Sequence, residues 1–260
     1  MFLGLAFLFG CNPTKRLAND EYLLRENKFK FESEPKIDKE DLKEVVKQEP
    51  NRKILGARFY LWAYNVPDPD KFDKRNEKRL KKLQKKNEKR LEKGKEPKEF
   101  NPFGSWWRET VGEPPVVFDS SLVNKSAEQI RIFLVKHGYF NAEVSTQIKT
   151  KEKKQMKTAV YLIKAKQAYT IDSLTFDIPD DYLAKLVAES RTVGKNIEVG
   201  DRFDIERLEE ERKKLTSYFR NRGYYDFHKE LIYFDVDSSR NNHSVHLELG
   251  IVPRKVPYQD

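Results

Sequence analysis

One cysteine, Cys11, stands in a chain of 260 residues. A lone thiol excludes an internal disulfide and leaves no second sulfur for a thiolate site. A membrane-spanning run is missing too. The apolar stretch FLGLAFLFG (Phe2–Gly10) is far shorter than the ~20 residues a spanning helix takes. No glycine-rich phosphate loop and no GxSxG elbow occur. His243 and His246 are spaced as HxxH, but alternation puts them on a strand, where positions i and i+3 face opposite sides. Glu209, Glu210 and Glu211 sit between Arg207 and Lys213 on a charged helix face, not as a catalytic carboxylate pair. These absences remove the common routes to enzyme chemistry. The expectation is a non-catalytic protein with no cofactor and no metal.

Charge is what the chain has in excess. Charged residues make up 36% of it, and the net charge is +9. The excess sits in one place: Lys71 to Lys98 holds fourteen Lys or Arg against five Asp or Glu, a local +9. Leu80, Leu83 and Leu91 share a helix stripe, but Asn87 falls in its gap, so the stripe buries little. One reading is a basic, weakly amphipathic helix whose Lys81, Lys82, Lys85, Lys86, Lys89 and Arg90 meet anionic lipid headgroups or an acidic partner. The other is a solvated spacer. Nucleic acid is a third anion, disfavoured because no aromatic lies between Lys74 and Glu99 to stack on bases. The flanks, Ile54–Val66 and Phe100–Phe118, carry all three tryptophans, Trp62, Trp106 and Trp107. Their apolar density predicts an extension of the first helix and its packed return, the alternative being a partner or membrane-interface patch.

The rest of the chain is patterned twice. Ile130, Phe133, Leu134 and His137 fall at i, i+3, i+4 and i+7, and Leu208, Leu215 and Phe219 lie on one face of a second helix. Each helix runs into a glycine, Gly138 and Gly223, 85 positions apart. That spacing makes the repeat domain-sized, and each glycine sits where a helix end wants a left-handed residue. Phe140, Ala142 and Val144 then alternate in one copy, and Ile232, Phe234 and Val236 in the other. A further alternating run follows each time, Thr158–Ala165 and His243–Ile251. Strand and helix patterns precede both copies: Asn27–Ser33 and Asp38–Gln48, then Ala168–Ile178 and the helix of DDYLAKLVAES. Asn124 or Ser126 is the expected N-cap of the second helix in the first copy. The prediction is an α+β protein of two tandem, separately packed β-α-α-β-β units, the first with a long basic insertion between its helices. Phe140 and Tyr225 are expected to be buried at equivalent places after their helices.

A β-α-α-β-β unit whose second helix ends in G-Y-F/Y resembles the POTRA domain. The wording NRKILGARFYLWAYN, followed by GEPPVVFDSSLVNKSAEQIRIFLVKHGYFNAEV, resembles the TamL-like lipoproteins of the BamA/TamA outer-membrane assembly family. That resemblance implies units that bind outer-membrane polypeptide clients and partner subunits, in a protein that continues into further units and a C-terminal β-barrel. The chain has no series of ~10-residue alternating strands, so the barrel is not within it. Binding would add an extended client to a sheet edge. The resemblance puts that edge on the second strand, Phe140–Ile148 and His228–Val236, and so on Phe140, Ala142, Val144, Ile148, Ile232, Phe234 and Val236.

The N-terminus is similar to a lipoprotein signal. LFGC resembles a lipobox, with Cys11 acylated after cleavage of residues 1–10. Phe9 is bulky for that motif, and no Lys or Arg precedes the apolar run, which places the true start upstream. The expected organisation is a signal peptide (1–10), an anchor linker (11–26), one unit (27–166) with its insertion at about 67–110, a second unit (167–252), and a linker to a following unit (253–260). The expected location is the outer membrane, lipid-anchored and facing the periplasm.

Overall fold

The computed structural model describes residues 13–66, 69–102, 110–194, 196–239 and 242–252. Cys11 and the expected signal segment, Trp106, Trp107 and the segment 253–260 lie outside them. The first repeat runs β1 (Leu23–Ser33), α1 (Lys39–Glu44), α2 (Phe59–Asn65), α3 (Pro69–Leu91), α4 (Ser120–Lys136), β2 (Glu143–Lys151) and β3 (Met156–Lys164). The second runs β4 (Thr170–Asp177), α5 (Asp181–Val193), α6 (Ile205–Arg220), β5 (Ile232–Asp237) and β6 (Ser244–Ile251). The strands form two three-stranded sheets, ordered β1-β3-β2 and β4-β6-β5. The class is α+β. In the second sheet β4 pairs with β6 in parallel and β5 pairs with β6 antiparallel.

The recurring phrase has a backbone explanation. Gly138 and Gly223 both have positive φ, +87° and +100°. After α4, Tyr139 N donates to Leu134 O and Gly138 N to Val135 O; after α6, Tyr224 N donates to Phe219 O and Gly223 N to Arg220 O. Each pair of bonds is a Schellman end, which satisfies the last carbonyls of the helix. The starts match as well. Asp119 accepts from the amides of Ser121 (2.7 Å) and Leu122 (3.3 Å), and Asp204 accepts from Glu206 N at 3.0 Å. Asp119 and Asp204 are also 85 positions apart. The cap expected at Asn124 or Ser126 is therefore Asp119. Ser126 is fully buried inside α4, where its hydroxyl accepts from Lys47 N at 2.9 Å.

The first helix is not extended by Ile54–Val66. Helix α1 stops at Glu44, and α2 is a separate element. Pro50 lacks an amide proton and biases the residue before it away from helix. Leu55 and Gly56 both take positive φ, 49° and 82°, and a two-residue turn closes with Ile54 and Ala57 exchanging backbone bonds of 2.8 and 3.0 Å. Two positive-φ residues in a row define a hairpin turn, which no helix accommodates.

Packing divides the chain into two compact units that do not follow the repeat boundary. Among the described residues, the first holds those up to Lys28 with those of Gln48–Val123 and Gln147–Val160. Inside it two buried amides clamp the segment before α4. Asn51 Nδ2 donates to Pro114 O (2.7 Å) and its Oδ1 accepts from Val116 N (3.0 Å); Gln48 Nε2 donates to Val117 O (2.6 Å) and its Oε1 accepts from Asp119 N (3.1 Å). Buried polar groups satisfied on both sides fix a loop that has little apolar surface of its own.

The second unit holds Phe29–Lys47, Asn124–Thr146 and the chain from Tyr161 onward. Leu183, Leu186 and Val187 of α5 meet Leu215 and Phe219 of α6 over Ile232, Leu249 and Ile251. A neighbouring cluster joins Ile171, Ile197, Phe203, Leu208, Val245 and Leu247. Phe140 packs against that cluster, with ring centroids 4.7 Å from Tyr169 and 5.1 Å from Phe203. Tyr225, the position equivalent to Phe140, is instead 80% exposed, and Phe227 is the buried aromatic. The end of the first repeat thus packs with the second, which separate packing did not anticipate.

The two glycines differ in their surroundings. A Cβ on Gly138 would stand 2.5 Å from the Phe203 carbonyl oxygen, whereas nothing lies within 4 Å of one on Gly223. Gly223→Ala is expected to cost about 1–2 kcal/mol from the left-handed backbone. Gly138→Ala should cost about 1–3 kcal/mol more, because backbone must shift. Urea unfolding of both variants measures the difference, and equal losses would contradict the close approach.

Candidate functional site

Strand order leaves β2 at the end of the first sheet and β5 at the end of the second. The opposite ends are partly occupied. Leu24 N donates to Val116 O (2.8 Å) and Phe118 N to Tyr22 O (2.7 Å), so the segment before α4 runs along the start of β1. In the second sheet Ile171 N donates to Asp201 O (2.8 Å) and Phe203 N to Tyr169 O (2.9 Å), so the segment before α6 does the same to β4. Each repeat clips its first strand and leaves its second strand as the edge. An edge strand presents backbone donors and acceptors that an added strand can use.

The predicted edge residues divide by position. Phe140 and Ala142 are not on the strand: β2 begins at Glu143, and a turn closed by Ala142 N donating to Tyr139 O (3.0 Å) comes first. Phe140 is engaged with Tyr169 and Phe203, and Ala142 is buried. Val144 is half-buried on β2, and Ile148 is exposed there. On β5, Ile232 is buried and Phe234 and Val236 are half-buried against the core clusters. Their side chains serve the core, so any binding at β5 uses its backbone edge. The Arg212 guanidinium of α6 lies 5.3 Å from the Phe234 ring centre and pairs with Glu209.

The outer face of the second sheet holds β5 in place. Tyr233, Gly250 and Asp177 lie side by side across β5, β6 and β4. A Cβ on Gly250 would stand 2.0 Å from Tyr233 Cζ, so the glycine makes room for the ring to lie across the middle strand. The phenol then donates to Asp177 Oδ2 at 2.7 Å. That bond to a carboxylate, with burial and the Asp177 charge, pushes the Tyr233 pKa up to about 12.

Where the first repeat ends, Tyr169 N donates to Gly138 O at 2.8 Å, and the Tyr139 hydroxyl accepts from Lys36 N at 2.8 Å. His137 Nδ1 contacts Phe133 O at 2.9 Å, leaving Nε2 3.9 Å from Glu206 Oε2. Among the described residues, His137, Asp204 and Glu206 bring three ligand-type atoms within 4.8 Å. Asp204 already caps α6 and pairs with Arg202 at 3.2 Å, so the group reads as a polar junction. The HxxH histidines serve separate structural ends. His246 contacts the hydroxyls of Ser173 (2.7 Å) and Thr175 (3.2 Å), and His243 packs against Tyr169.

Sequence reading missed the symmetry of the helix starts, although a signal was present. Phe118-Asp119 and Phe203-Asp204 each precede Gly-Tyr by the same interval. The basic cluster lies on α3, where Asn87 proves structural. Its amide donates to Lys98 O (2.8 Å) and accepts from Lys98 N (2.9 Å), fastening the return segment to the helix. Lys81 pairs with Glu77 at 2.7 Å, and Arg90 donates to Glu96 O at 2.9 Å. Those two are engaged within the insertion. Lys82, Lys85, Lys86 and Lys89 are exposed. Among the described residues no helix is long and apolar enough to cross a membrane.

The family model of POTRA, the surface antigen variable number repeat, matches residues 25–166 and again 169–253. Similar solved structures include the POTRA3-5 region of BamA from Haemophilus influenzae, 10% identical, with a TM-score of 0.32 over 92% of this chain and 100% of that one. POTRA1-2 of the periplasmic domain of Omp85 from Anabaena is 11% identical, with a TM-score of 0.31 over 88% of this chain and 94% of that one. No curated protein sequence matches the chain.

The raised Tyr233 pKa sets a pH window. A folded value above the unfolded one means that the bond to Asp177 contributes below pH ~10, the unfolded tyrosine range. The contribution is lost as pH rises through about 12. Tyr233→Phe should therefore remove the latest-titrating phenol from an ultraviolet titration and flatten the fall in stability over that window. A titration unchanged by Tyr233→Phe would refute the assignment.

Proposed function

Because the chain belongs to the POTRA family, matched by its model twice in tandem, we propose that it is the polypeptide-binding, periplasmic region of a lipid-anchored outer-membrane assembly protein, TamL-like within the BamA/TamA group. Its units span 27–166 and 167–252. It takes extended outer-membrane clients at the free edges of β2 and β5 and hands them to assembly-complex subunits or a C-terminal β-barrel, with no covalent step. The observation carrying this reading is that both repeats cover the start of their first strand and leave the second strand at the sheet end. An extended client can satisfy its own backbone there, with side-chain pockets adding selectivity.

Two further features support the reading. Among the described residues the Gly223–Tyr225 surface is open where its counterpart, Gly138–Phe140, is covered by Tyr169 and by Phe203 of the segment before α6. A further unit of the same kind would cover it, and residues 253–260 would be the link. At the other end, an apolar core terminating on Cys11, the only thiol, suits acylation, which supports a lipid-anchored location on the outer membrane facing the periplasm.

Hydrogen exchange tests the edges. A synthetic ten-residue peptide with the alternating pattern of a transmembrane β-strand is expected to slow exchange in β2 and β5 while leaving β1 and β4 unchanged. Protection confined to other elements would rule out edge binding. Metabolic fatty-acid labelling, with the native upstream sequence present, is expected to mark the protein and to be abolished by Cys11→Ala. Equal labelling of both forms, or of neither, would remove the anchor.

A further inference from the structure

Helix α3 sorts its side chains into sectors. Phe72, Asn76, Leu83, Asn87 and Arg90 form the covered stripe, against which the return segment is fastened through Asn87 and Arg90. At 100° per residue, Asp73, Glu77 and Glu88 fall together on the next sector. The remaining arc of about 120° is basic throughout and holds Lys71, Lys74, Arg75, Lys78, Lys82, Lys85, Lys86 and Lys89. All eight are exposed. From Lys71 to Lys89 the row is ~27 Å long at 1.5 Å per residue.

We propose that this face of α3 is a docking surface for the anionic headgroups of a membrane, held by charge without insertion. Three observations choose this occupant. A straight row of cations on one face fits a plane of negative charge. Of the leucines on α3 only Leu83 is half-buried, and the exposed Leu80 and Leu91 fall at 100° per residue on the side opposite the cations, so the basic face has no apolar residue to insert and contact is electrostatic. Finally, the base of α3 lies close to the anchor end of the chain. Asn65 Nδ2, at the end of α2, donates to Pro13 O at 3.3 Å, and the Arg16 guanidinium lies 5.1 Å from the Tyr64 ring centre. Pro13 also borders a cavity of about 230 Å³ with Phe59, Leu61 and Trp62. Pro13 is two residues from Cys11, a reach of ~7 Å, and α3 starts four residues after Asn65. The last observation rests on the lipid anchoring proposed above, so the test omits the acyl chain and the two ideas can fail separately.

The full chain carrying Cys11→Ser is sedimented with vesicles of equimolar phosphatidylglycerol and phosphatidylcholine, and with pure phosphatidylcholine. Binding is expected only to the anionic vesicles and should fall with salt, since screening acts beyond ~8 Å at physiological ionic strength. Each cation near such a surface contributes roughly fivefold in affinity. Replacing Lys82, Lys85, Lys86 and Lys89 with Gln should thus weaken binding about thirtyfold if two of the four reach the headgroups. The same four changed to Arg should bind as before. Gln at Lys149, Lys151, Lys153 and Lys154 removes equal charge from the β2 end and should change binding by no more than about twofold. Equal losses in the two Gln variants, equal binding to both vesicles, or tighter binding to duplex DNA than to anionic vesicles would each overturn the proposal.

Discussion

The parallel pairing of the first and last strands of the second repeat governs the rest of that repeat. Strands β4 and β6 run side by side in the same direction, and a parallel pair needs a long crossover in place of a tight turn. Helices α5 and α6 occupy that crossover and cover the sheet with their apolar faces. With β4 and β6 already adjacent, β5 has only the outer side of β6 left to join. Among the described residues, the place of β5 at the sheet end is therefore a consequence of topology. The first repeat has the same strand order and the same outcome at β2.

A second constraint acts where one repeat meets the next. Gly138 ends its helix with a left-handed residue, and it also lets the Phe203 carbonyl come within a distance no side chain tolerates. Phe140 is drawn into the following cluster by Tyr169 and Phe203. The local phrase therefore does two jobs, and only the first is a helix cap. In the second copy the cap persists while the space around Gly223 is open. The difference between a half-buried Phe140 and an exposed Tyr225 reflects what lies beside them, not the residues' own hydrophobicity.

The basic insertion shows how charge and fold are kept apart. Its helix interrupts the first repeat between α2 and α4, and its stripe is closed by backbone bonds to Asn87 rather than by apolar packing. An amide that pairs with both the N–H and the C=O of Lys98 holds a return segment where leucines are too few to do so. The cations are left on a face that contributes nothing to the core and can serve a contact outside it.

Local chemistry is legible in the residues themselves. The strand and helix order, the two Gly-Tyr helix ends and the cap at Asp38, which accepts from Glu40 N at 2.9 Å, follow from short-range rules: periodicity, capping and left-handed glycine. Three features are not legible there. The start of α4 at Asp119 depends on a loop clamped by Gln48 and Asn51, about 70 residues away in sequence. The side chains of Phe140 and Ala142 leave the edge because a turn and a neighbouring cluster claim them. The exposure of Tyr225 depends on whether anything packs over it. Sequence alone determined the order of helices and strands within each repeat, because those preferences are settled within a few residues. Tertiary structure alone decided which edges stay open and which aromatics are buried, because these depend on groups that meet only once the chain has crossed over itself.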